Sequence, residues 1–174
     1  MVETNRFIII PLDHRQLSLY LHGKRKLEQE LNIAHIHRKI SSEVRDRGEY
    51  LILPEMKRAS GDNYVFFTFW IVIEKSSRHI VAELGFKGIP NNNKEVEIGY
   101  GVFTNFHKKG IMTEAVEGMI NWAKSRLDIQ YVLAETDENN LASIKVLQKN
   151  NFQNFDKKGK MLWWKIEVNP TQSH

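Results

Sequence analysis

The order of predicted elements along the 174-residue chain favours an α+β fold, in which one sheet carries helices on both faces. Three observations support this prediction. β-Branched and aromatic residues fill the middle of the chain, where apolar side chains recur at period two. After Gly110 the period changes to 3.6, which is typical of an amphipathic helix. Strand and helix patterns then alternate towards the C-terminus, as in a sheet whose last strands are joined through helices.

The N-terminal third begins with a short strand and continues with helices. The apolar run at residues 7–12 predicts the strand. Apolar residues at positions 17–31 recur at helical spacing and Gly23 interrupts them, so we expect one kinked helix or two short ones. Apolar residues four apart at positions 36–44 predict a further helix that ends before Gly48.

The middle of the chain is predicted to form three antiparallel strands in series. Residues 64–74 are aromatic or β-branched on both alternating faces, which predicts a central strand that is covered on both sides. Residues 80–88 and 96–103 have the alternation of half-buried strands. They flank the turn-forming residues 90–93, where we expect a hairpin loop.

The C-terminal half alternates helices with strands. One apolar stripe at helical spacing predicts the clearest helix of the chain, and its members are Met112, Val116, Met119, Ile120, Ala123 and Leu127. Residues 129–135 and 161–168 are predicted to be buried strands, with an amphipathic helix at residues 141–150 between them. We expect a single domain over residues 1–168 and a frayed tail at residues 169–174.

Composition restricts the class of protein. The chain has no cysteine, which excludes a disulfide framework, a thiolate metal site and a cysteine nucleophile. His35 and His37 lie two residues apart without a carboxylate cluster, so no metal site is expected. The net charge of +4 suits an anionic small ligand, and its spread along the chain does not favour nucleic acid.

The sequence also gives expectations on cellular location and oligomeric state. No stretch has the length of a membrane-spanning helix or the pattern of a signal peptide, so we expect a cytoplasmic protein with no membrane partner. A monomer and a homodimer both remain open.

The segment at residues 104–110 is a loop that leads into the predicted helix. Such a helix start presents unpaired backbone N–H groups and the positive end of the helix dipole, which suits a pyrophosphate. Gly110 lets a ligand approach the backbone because it has no Cβ. Lys108 and Lys109 add positive charge, although solvent-facing lysines in an ordinary connection give the same pattern.

Two stretches resemble motif A of the GNAT acetyltransferases: Glu97-Ile98-Gly99-Tyr100, and the nine residues from His107 to Ala115. Within that superfamily they are most similar to the branch that acetylates N-terminal residues of ribosomal proteins. The family pattern is Gln or Arg, two residues, Gly, one residue, then Gly or Ala. His107 and Met112 stand at its first and last positions, so only Gly110 matches strictly.

A second segment resembles motif B of the same family. It comprises Asn140-Leu141-Ala142-Ser143 and residues 146–152, where Asn151 replaces a family glycine. Asparagine tolerates the left-handed conformation that ends many helices, so the geometry can be kept. The two motifs span about a third of the chain. The resemblance implies the GNAT fold, a mixed and mostly antiparallel sheet of six to seven strands with helices on both faces.

The resemblance implies acetyl-CoA as co-substrate, with no metal. In this family the strands predicted here at residues 96–103 and 129–135 separate, and the pantetheine arm lies between them. A backbone N–H near Val102 would hold the oxyanion while a free amine attacks directly. The implied cofactor contacts are Val102, Phe103, Thr104, His107, Lys108, Lys109, Gly110, Ile111, Met112, Thr113, Asn140 and Ser143.

The acceptor amine needs a base, because a free α-amine has a pKa of ~7.7–8 and lysine ~10.4. Glu135 is the first candidate, since it ends a predicted strand where the resemblance places the catalytic glutamate of some N-terminal alanine acetyltransferases. Glu97 and Glu83 are the other candidates. Each of the three can instead be a strand carboxylate in a salt bridge.

The departing thiolate needs a proton or a hydrogen-bond donor. Some relatives use a tyrosine at the position of Leu147, so Ser143 is the expected substitute, although it can also cap its helix. The expected function is transfer of acetyl from acetyl-CoA to a primary amine, on a protein N-terminus or a small molecule. A catalytically silent acyl-CoA-binding module is the alternative, because His107, Met112 and Leu147 depart from the family pattern.

Overall fold

The computed structural model describes residues 1–23, 25–37 and 40–170, and eight strands in this part form one sheet. In chain order they are β1 (Val2–Glu3), β2 (Phe7–Pro11), β3 (Trp70–Glu74), β4 (Ile80–Phe86), β5 (Glu95–Val102), β6 (Tyr131–Asp137), β7 (Gln153–Lys158) and β8 (Met161–Glu167). Their spatial order is β1-β2-β3-β4-β5-β6-β8-β7. All neighbours are antiparallel except β5 and β6, so the predicted mixed α+β sheet is confirmed.

Helices cover both faces of the sheet. They are α1 (His14–His22), α2 (Lys26–Glu30), α3 (Ser42–Arg47), α4 (Leu53–Arg58), α5 (Ile111–Lys124) and α6 (Leu141–Lys149). A π-helical turn at Gly48–Ile52 joins α3 to α4, and 3₁₀ turns lie at Gly61–Phe66 and Thr104–Phe106. The interruption expected at Gly23 is present, because α1 ends at His22 and α2 begins at Lys26.

Strand register assigns side chains to the two faces. Ile71, Glu83 and Gly101 are opposite one another on β3, β4 and β5 and therefore share a face. Ile71 packs in the core with Leu17 of α1, so this is the α1–α4 face. The other side, here the α5–α6 face, packs on the apolar stripe of α5 and on Leu147 of α6.

The prediction of one strand at residues 64–74 is wrong in its first half. Only Trp70–Glu74 is extended, and Gly61–Phe66 forms a 3₁₀ turn. The turn is closed by the indole of Trp70, which donates to the Val65 carbonyl at 2.8 Å. The alternation of apolar residues correctly predicts that this segment is buried, since Phe66 is fully buried. Buried residues occur in compact turns as well as in strands, so the pattern does not distinguish the two. The central position is confirmed, because β3 pairs with a strand on each side.

α3 ends at Arg47, as predicted, but the chain does not leave helical geometry at Gly48. Its φ of −59° is helical, and the chain continues through the π-helical turn into α4. A Cβ at Gly48 would approach the Leu21 side chain to 2.6 Å, so glycine favours close packing of the π-helical turn on α1. Residues 38 and 39 of the helix predicted at 36–44 lie outside the described residues.

The remaining differences concern exposed residues. α5 ends at Lys124, and Leu127 is 91% exposed, so its predicted place in the buried stripe is wrong. β1 and β7 were not predicted and raise the strand number to eight. The side chains of β7 are mostly exposed and polar, so they carry no period-two apolar pattern. Of the predicted tail, residues 171–174 lie outside the described residues.

Candidate active site

The parallel pair β5 and β6 opens into a cleft. The two strands pair only where residues 95–97 meet residues 131–133. β5 then continues to Val102 and β6 to Asp137 without further pairing between them. The C-terminal ends of both strands therefore border an opening within the sheet, at the place where the family resemblance implies separated strands.

Main-chain groups of β5 are directed into this opening. The N–H of Lys87 donates to the Glu97 carbonyl at 2.9 Å, and the N–H of Phe103 donates to the Val81 carbonyl at 3.2 Å. Odd-numbered residues of β5 thus bond to β4, and the alternating ladder directs the N–H and C=O of Tyr100 and Val102 towards β6. The Val102 carbonyl lies 2.9 Å from Nε2 of His107.

The loop after β5 ends in a left-handed turn at the start of α5. Gly110 is the N-cap residue with φ of +70°, and no side chain caps this helix end. Lys108 is also left-handed, with φ of +61°. Ile111 and Met112 are buried in the core, so only their main-chain N–H groups are available to a ligand at the loop. The Lys109 ammonium lies 5.2 Å from the centre of the Phe106 ring.

An arginine from the N-terminal hairpin braces this loop, which sequence reasoning did not predict. The Arg6 guanidinium donates to the Lys109 carbonyl at 3.0 Å and to Oε2 of Glu114 at 2.6 Å. Oε1 of Glu114 accepts from the Arg6 main-chain N–H and the Thr4 hydroxyl, both at 2.7 Å. Burial on its own would raise the pKa of Glu114, but the hydrogen bonds from Arg6 and Thr4 outweigh it and lower that pKa.

Motif B places two polar side chains at the start of α6. Asn140 is the N-cap, and its Oδ1 accepts from the Ser143 N–H at 3.1 Å. The Ser143 hydroxyl lies 2.9 Å from the hydroxyl of Tyr100. Tyr100 is therefore a second residue of the site that sequence reasoning missed, although it stands in the motif A stretch. Burial raises the pKa of Tyr100, and the hydrogen bond with Ser143 offsets part of this effect.

The end of α6 is tied to the start of α5. Asn150 is buried and donates through Nδ2 to the Thr113 carbonyl at 3.1 Å. Asn151 follows with φ of +61°, the left-handed conformation expected for the residue that replaces the family glycine. The hydrogen bond from Asn150 therefore holds the end of α6 against the first turn of α5.

The three candidate glutamates all lie on the α1–α4 face. Glu97 pairs in register with Leu133 of β6, and Glu135 follows two residues later on the same face. The ammonium of Lys87 contacts Glu97 and lies 3.8 Å from Oε2 of Glu135. Glu83 accepts a hydrogen bond from the buried Tyr20 hydroxyl. The structure thus brings Glu97 and Glu135 together and holds Glu83 apart from them, beside α1.

Two cavities meet at Glu83 on this face. The first, of about 550 Å³, has a floor without side chains formed by Gly85, Gly99 and Gly101. The second, of about 510 Å³, reaches the end of β5 and the loop, and it is lined by Glu83, Val102, Phe103, Thr104 and other residues. Both cavities can admit a ligand from the face opposite to α5, and Glu83 is the candidate base that lines both.

Within the described residues, no group of three or more His, Cys, Asp or Glu side chains is arranged to hold a metal ion. No helix of the same residues is long and apolar enough to cross a membrane.

Solved structures of acetyltransferases share this architecture. A ribosomal-protein-S5-alanine acetyltransferase from Vibrio fischeri superposes with a TM-score of 0.69 at 15% identity, over 96% of each chain. The RimL ribosomal L7/L12 alpha-N-protein acetyltransferase in complex with coenzyme A gives 0.64 at 16% identity, over 95% of this chain and 96% of that one. At such identities the likeness concerns the fold, and it confirms the predicted GNAT fold.

Sequence relatives match over a shorter segment. The uncharacterized N-acetyltransferase YjdG of Bacillus subtilis is 37% identical over 86 residues, which are 49% of this chain and 51% of that protein. The uncharacterized N-acetyltransferase p20 of Bacillus licheniformis is 32% identical over 82 residues, 47% of this chain and 46% of that one. The matched part of the chain thus spans about half the length of these relatives.

A family model covers most of the chain. The acetyltransferase (GNAT) domain matches residues 25–153, which include the opening between β5 and β6, the loop before α5 and the start of α6. The chain therefore belongs to the GNAT acetyltransferase family.

Proposed function

We propose that the chain transfers the acetyl group of acetyl-CoA to a primary amine, with a protein N-terminus as the first class of acceptor to test. The proposal rests above all on the opening between β5 and β6, which leads to the uncapped start of α5. One ligand can therefore pair with strand backbone at one end and with helix N–H groups at the other. Acetyl-CoA, with its amide-containing arm and its pyrophosphate, has both parts.

The loop before α5 supports a phosphate site. Free N–H groups at a helix start attract anions, and the absence of a capping side chain at Gly110 leaves them accessible. Arg6, Lys108 and Lys109 add positive charge around the loop, although Arg6 is partly neutralised by Glu114. In this proposal Thr113, His107 and Asn140 border the arm and the pyrophosphate, and the N–H of Val102 faces the thioester oxygen.

The α1–α4 face supports the acceptor side. An amine that enters over the glycine floor reaches the opening from the side opposite to the phosphate loop. Carboxylates stand on both sides of this route, with Glu83 between the cavities and Glu97 with Glu135 beside Lys87. A proton can pass from an ammonium acceptor to one of these carboxylates, directly or through water. The amine then attacks the thioester without a protein nucleophile.

A protein N-terminus is placed first among acceptors for two reasons. The structurally similar proteins from Vibrio fischeri and the RimL group are named for acetylation of ribosomal proteins. The two cavities are also open to the surface and continuous in their lining, which suits the end of a chain. Small-molecule amines are the second class of acceptor.

The decisive experiment separates binding from transfer. Acetyl-CoA should raise the melting temperature in a concentration-dependent way, because it binds the folded state selectively. Free CoA should then be released when peptides with free α-amines are added, and less with the same peptides blocked at the N-terminus. No thermal shift at millimolar acetyl-CoA would contradict the proposal. Release with small amines but not with peptides would move the acceptor class without changing the reaction.

A silent acyl-CoA-binding module is the second candidate function. It is favoured by the contact between His107 and the Val102 carbonyl, which occupies one acceptor of the opening. It is also favoured by the contacts of Glu97 and Glu135 with Lys87. A thermal shift without CoA release across peptides, polyamines and amino sugars would establish this function instead.

A further inference from the structure

The hydroxyl groups of Tyr100 and Ser143 join β5 to α6 across the opening. They lie 2.9 Å apart, and the two residues are 43 positions apart in sequence. Tyr100 stands on β5 beyond the last residue that pairs with β6, so this contact links the two sides where the strand ladder has ended. Both groups face the α5–α6 side, from which a ligand at the start of α5 would extend into the opening.

The chemistry of the pair decides which hydroxyl donates. A phenol is a much stronger hydrogen-bond donor than an alcohol, because its O–H is far more acidic. The phenol has two acceptors on Ser143, the hydroxyl oxygen at 2.9 Å and the main-chain carbonyl oxygen at 3.4 Å, and between the two hydroxyls either can be the donor. The acidity of the phenol and the shorter distance both favour donation from Tyr100 to Oγ. Burial keeps Tyr100 protonated by raising its pKa, so the phenol remains a donor at neutral and moderately alkaline pH.

This arrangement leaves the hydrogen of the Ser143 hydroxyl for another acceptor. Among the described residues, the hydroxyl of Tyr100 is the one hydrogen-bond partner of Ser143 Oγ. A serine in a helix otherwise tends to donate to the carbonyl four residues earlier, which would turn its hydrogen away from a ligand. When Tyr100 donates to Oγ, the hydroxyl hydrogen of Ser143 points away from Tyr100 and is available to a ligand in the opening.

We propose that Tyr100 is a positioning residue that directs the Ser143 hydroxyl hydrogen at the sulfur of the departing thiol. The proposal rests on the acetyl transfer proposed above. In that reaction the amine nitrogen bonds to the acetyl carbon, and the C–S bond breaks with its electron pair going to sulfur. The amine proton goes to a carboxylate or to water. Ser143 donates a hydrogen bond to the thiolate, which takes its proton from water after release.

The position that carries a tyrosine in some relatives offers no hydrogen-bond donor here. Leu147, one turn after Ser143 on α6, is apolar and fully buried. The side-chain oxygen Oδ1 of Asn140 accepts from the Ser143 N–H at 3.1 Å and so holds the main chain of Ser143 in place. A hydrogen bond to a thiolate is charge-assisted and hence among the stronger kinds.

The first test measures the sulfur contact without turnover. Calorimetry compares CoA with desulfo-CoA, which lacks the thiol, at pH 7 and pH 9.5. In the wild type, CoA should gain affinity over desulfo-CoA by about tenfold as its thiol ionises, the scale of a hydrogen bond to a charged group. Tyr100→Phe and Ser143→Ala should both lose this gain while they bind desulfo-CoA normally. Equal gains in wild type and Tyr100→Phe would overturn the proposal.

The second test is a double-mutant cycle on turnover. Tyr100→Phe and Ser143→Ala should each lower kcat about tenfold with little change in the KM for acetyl-CoA, and the double variant should be no slower. Ser143→Thr keeps the hydroxyl and should restore most of kcat. The control is Tyr131→Phe, which removes a phenolic hydroxyl from β6 where the strands still pair. Additive losses, or losses confined to KM, would overturn the inference.

The two tests also separate this inference from the proposed function. A sulfur-dependent gain that requires Tyr100, in a chain that acetylates no amine, supports the positioning role and contradicts the transferase. Normal transfer by Tyr100→Phe supports the transferase and contradicts the positioning role. A chain that binds neither CoA nor desulfo-CoA contradicts both.

Discussion

Oε2 of Glu135 lies 3.8 Å from the ammonium nitrogen of Lys87. The same nitrogen contacts Glu97 on the neighbouring strand, so one cation serves two carboxylates. Lys87 belongs to the lining of the larger cavity on the α1–α4 face. Glu135 can therefore act as the general base or serve only as a partner of Lys87 in an ion pair, and substitution distinguishes these two roles.

Replacement of Glu135 by Gln should lower turnover by ~10²–10⁴-fold at neutral pH, the usual contribution of a positioned base. The fold and CoA affinity should persist, because Gln fills nearly the same volume. Glu97→Gln is the matched control, since it removes a carboxylate that contacts the same lysine. Equal losses in both variants would assign the effect to the charge around Lys87. A large loss in Glu83→Gln alone would move the base to the junction of the two cavities.

Gly110→Val should abolish CoA binding. A β-branched residue at φ of +70° is strained, and its side chain would stand at the helix start where the phosphate is expected. The control is Gly159→Val, which imposes similar strain at φ of +60° in the turn between β7 and β8. Both variants should lose about 1–3 kcal/mol of unfolding free energy.

Only the Gly110 variant should lose CoA in calorimetry, and Lys109→Ala should weaken binding by roughly 0.3–1 kcal/mol. Binding by folded Gly110→Val at wild-type affinity would exclude the start of α5 as the phosphate site.

Glu114 should make folding stability depend on pH. Its folded-state pKa is lowered from the ordinary value of 4.5 for a glutamate, so its contribution is present above that value and is lost as pH falls through the folded pKa. Glu114→Gln should cost about 1–3 kcal/mol of unfolding free energy at pH 7, and the difference from wild type should shrink towards pH 3. Urea unfolding at several pH values measures this. Glu117→Gln, on the same helix, should have little effect, and a constant difference for Glu114→Gln would contradict the assignment.

Two glycines in the floor of the larger cavity allow the effect on folding to be separated from the effect on amine binding. A Cβ at Gly85 would approach the Thr68 carbonyl oxygen to 2.8 Å, so Gly85→Ala should destabilise the fold by about 1–3 kcal/mol. A Cβ at Gly101 meets nothing within 4 Å, so Gly101→Val should fold normally and fill the acceptor route. Its KM for the amine should rise while desulfo-CoA binding is retained. An unchanged amine KM would place the acceptor elsewhere.

The sequence predicts most of the elements because their signals are local. The apolar stripe of α5 and the alternation in β4 and β5 follow from neighbouring residues, and the loop before Gly110 follows from the change of period. The 3₁₀ turn before β3 was not predictable in this way, because the Trp70 indole that closes it and the buried Phe66 give the same pattern as a strand. The local sequence is compatible with a strand and with a 3₁₀ turn, and tertiary packing determines that the turn forms.

The site was predictable in its main chain and less so in its side chains. The position of Gly110 follows from the motif, whereas two contacts that shape the site join residues far apart in sequence. Arg6 reaches Glu114 across 108 positions, and Tyr100 reaches Ser143 across 43. Periodicity in the sequence does not predict such long-range pairs, since each partner has the local pattern of an ordinary strand or loop residue.

The separation of β5 and β6 has a consequence for how this site tolerates change over evolution. Where strands part, recognition falls to peptide groups, and peptide groups are the same whatever residue carries them. Side chains around the opening can then be exchanged without loss of the ligand, provided that the backbone path persists. Met112 in place of a family residue is a substitution of this kind, because its side chain is buried in the core and only its main-chain N–H is available to a ligand. In the proposed function, drift at side chains that do not touch acetyl-CoA would leave its binding intact, so natural selection could act on the acceptor side and produce new acceptor preferences from one cofactor site.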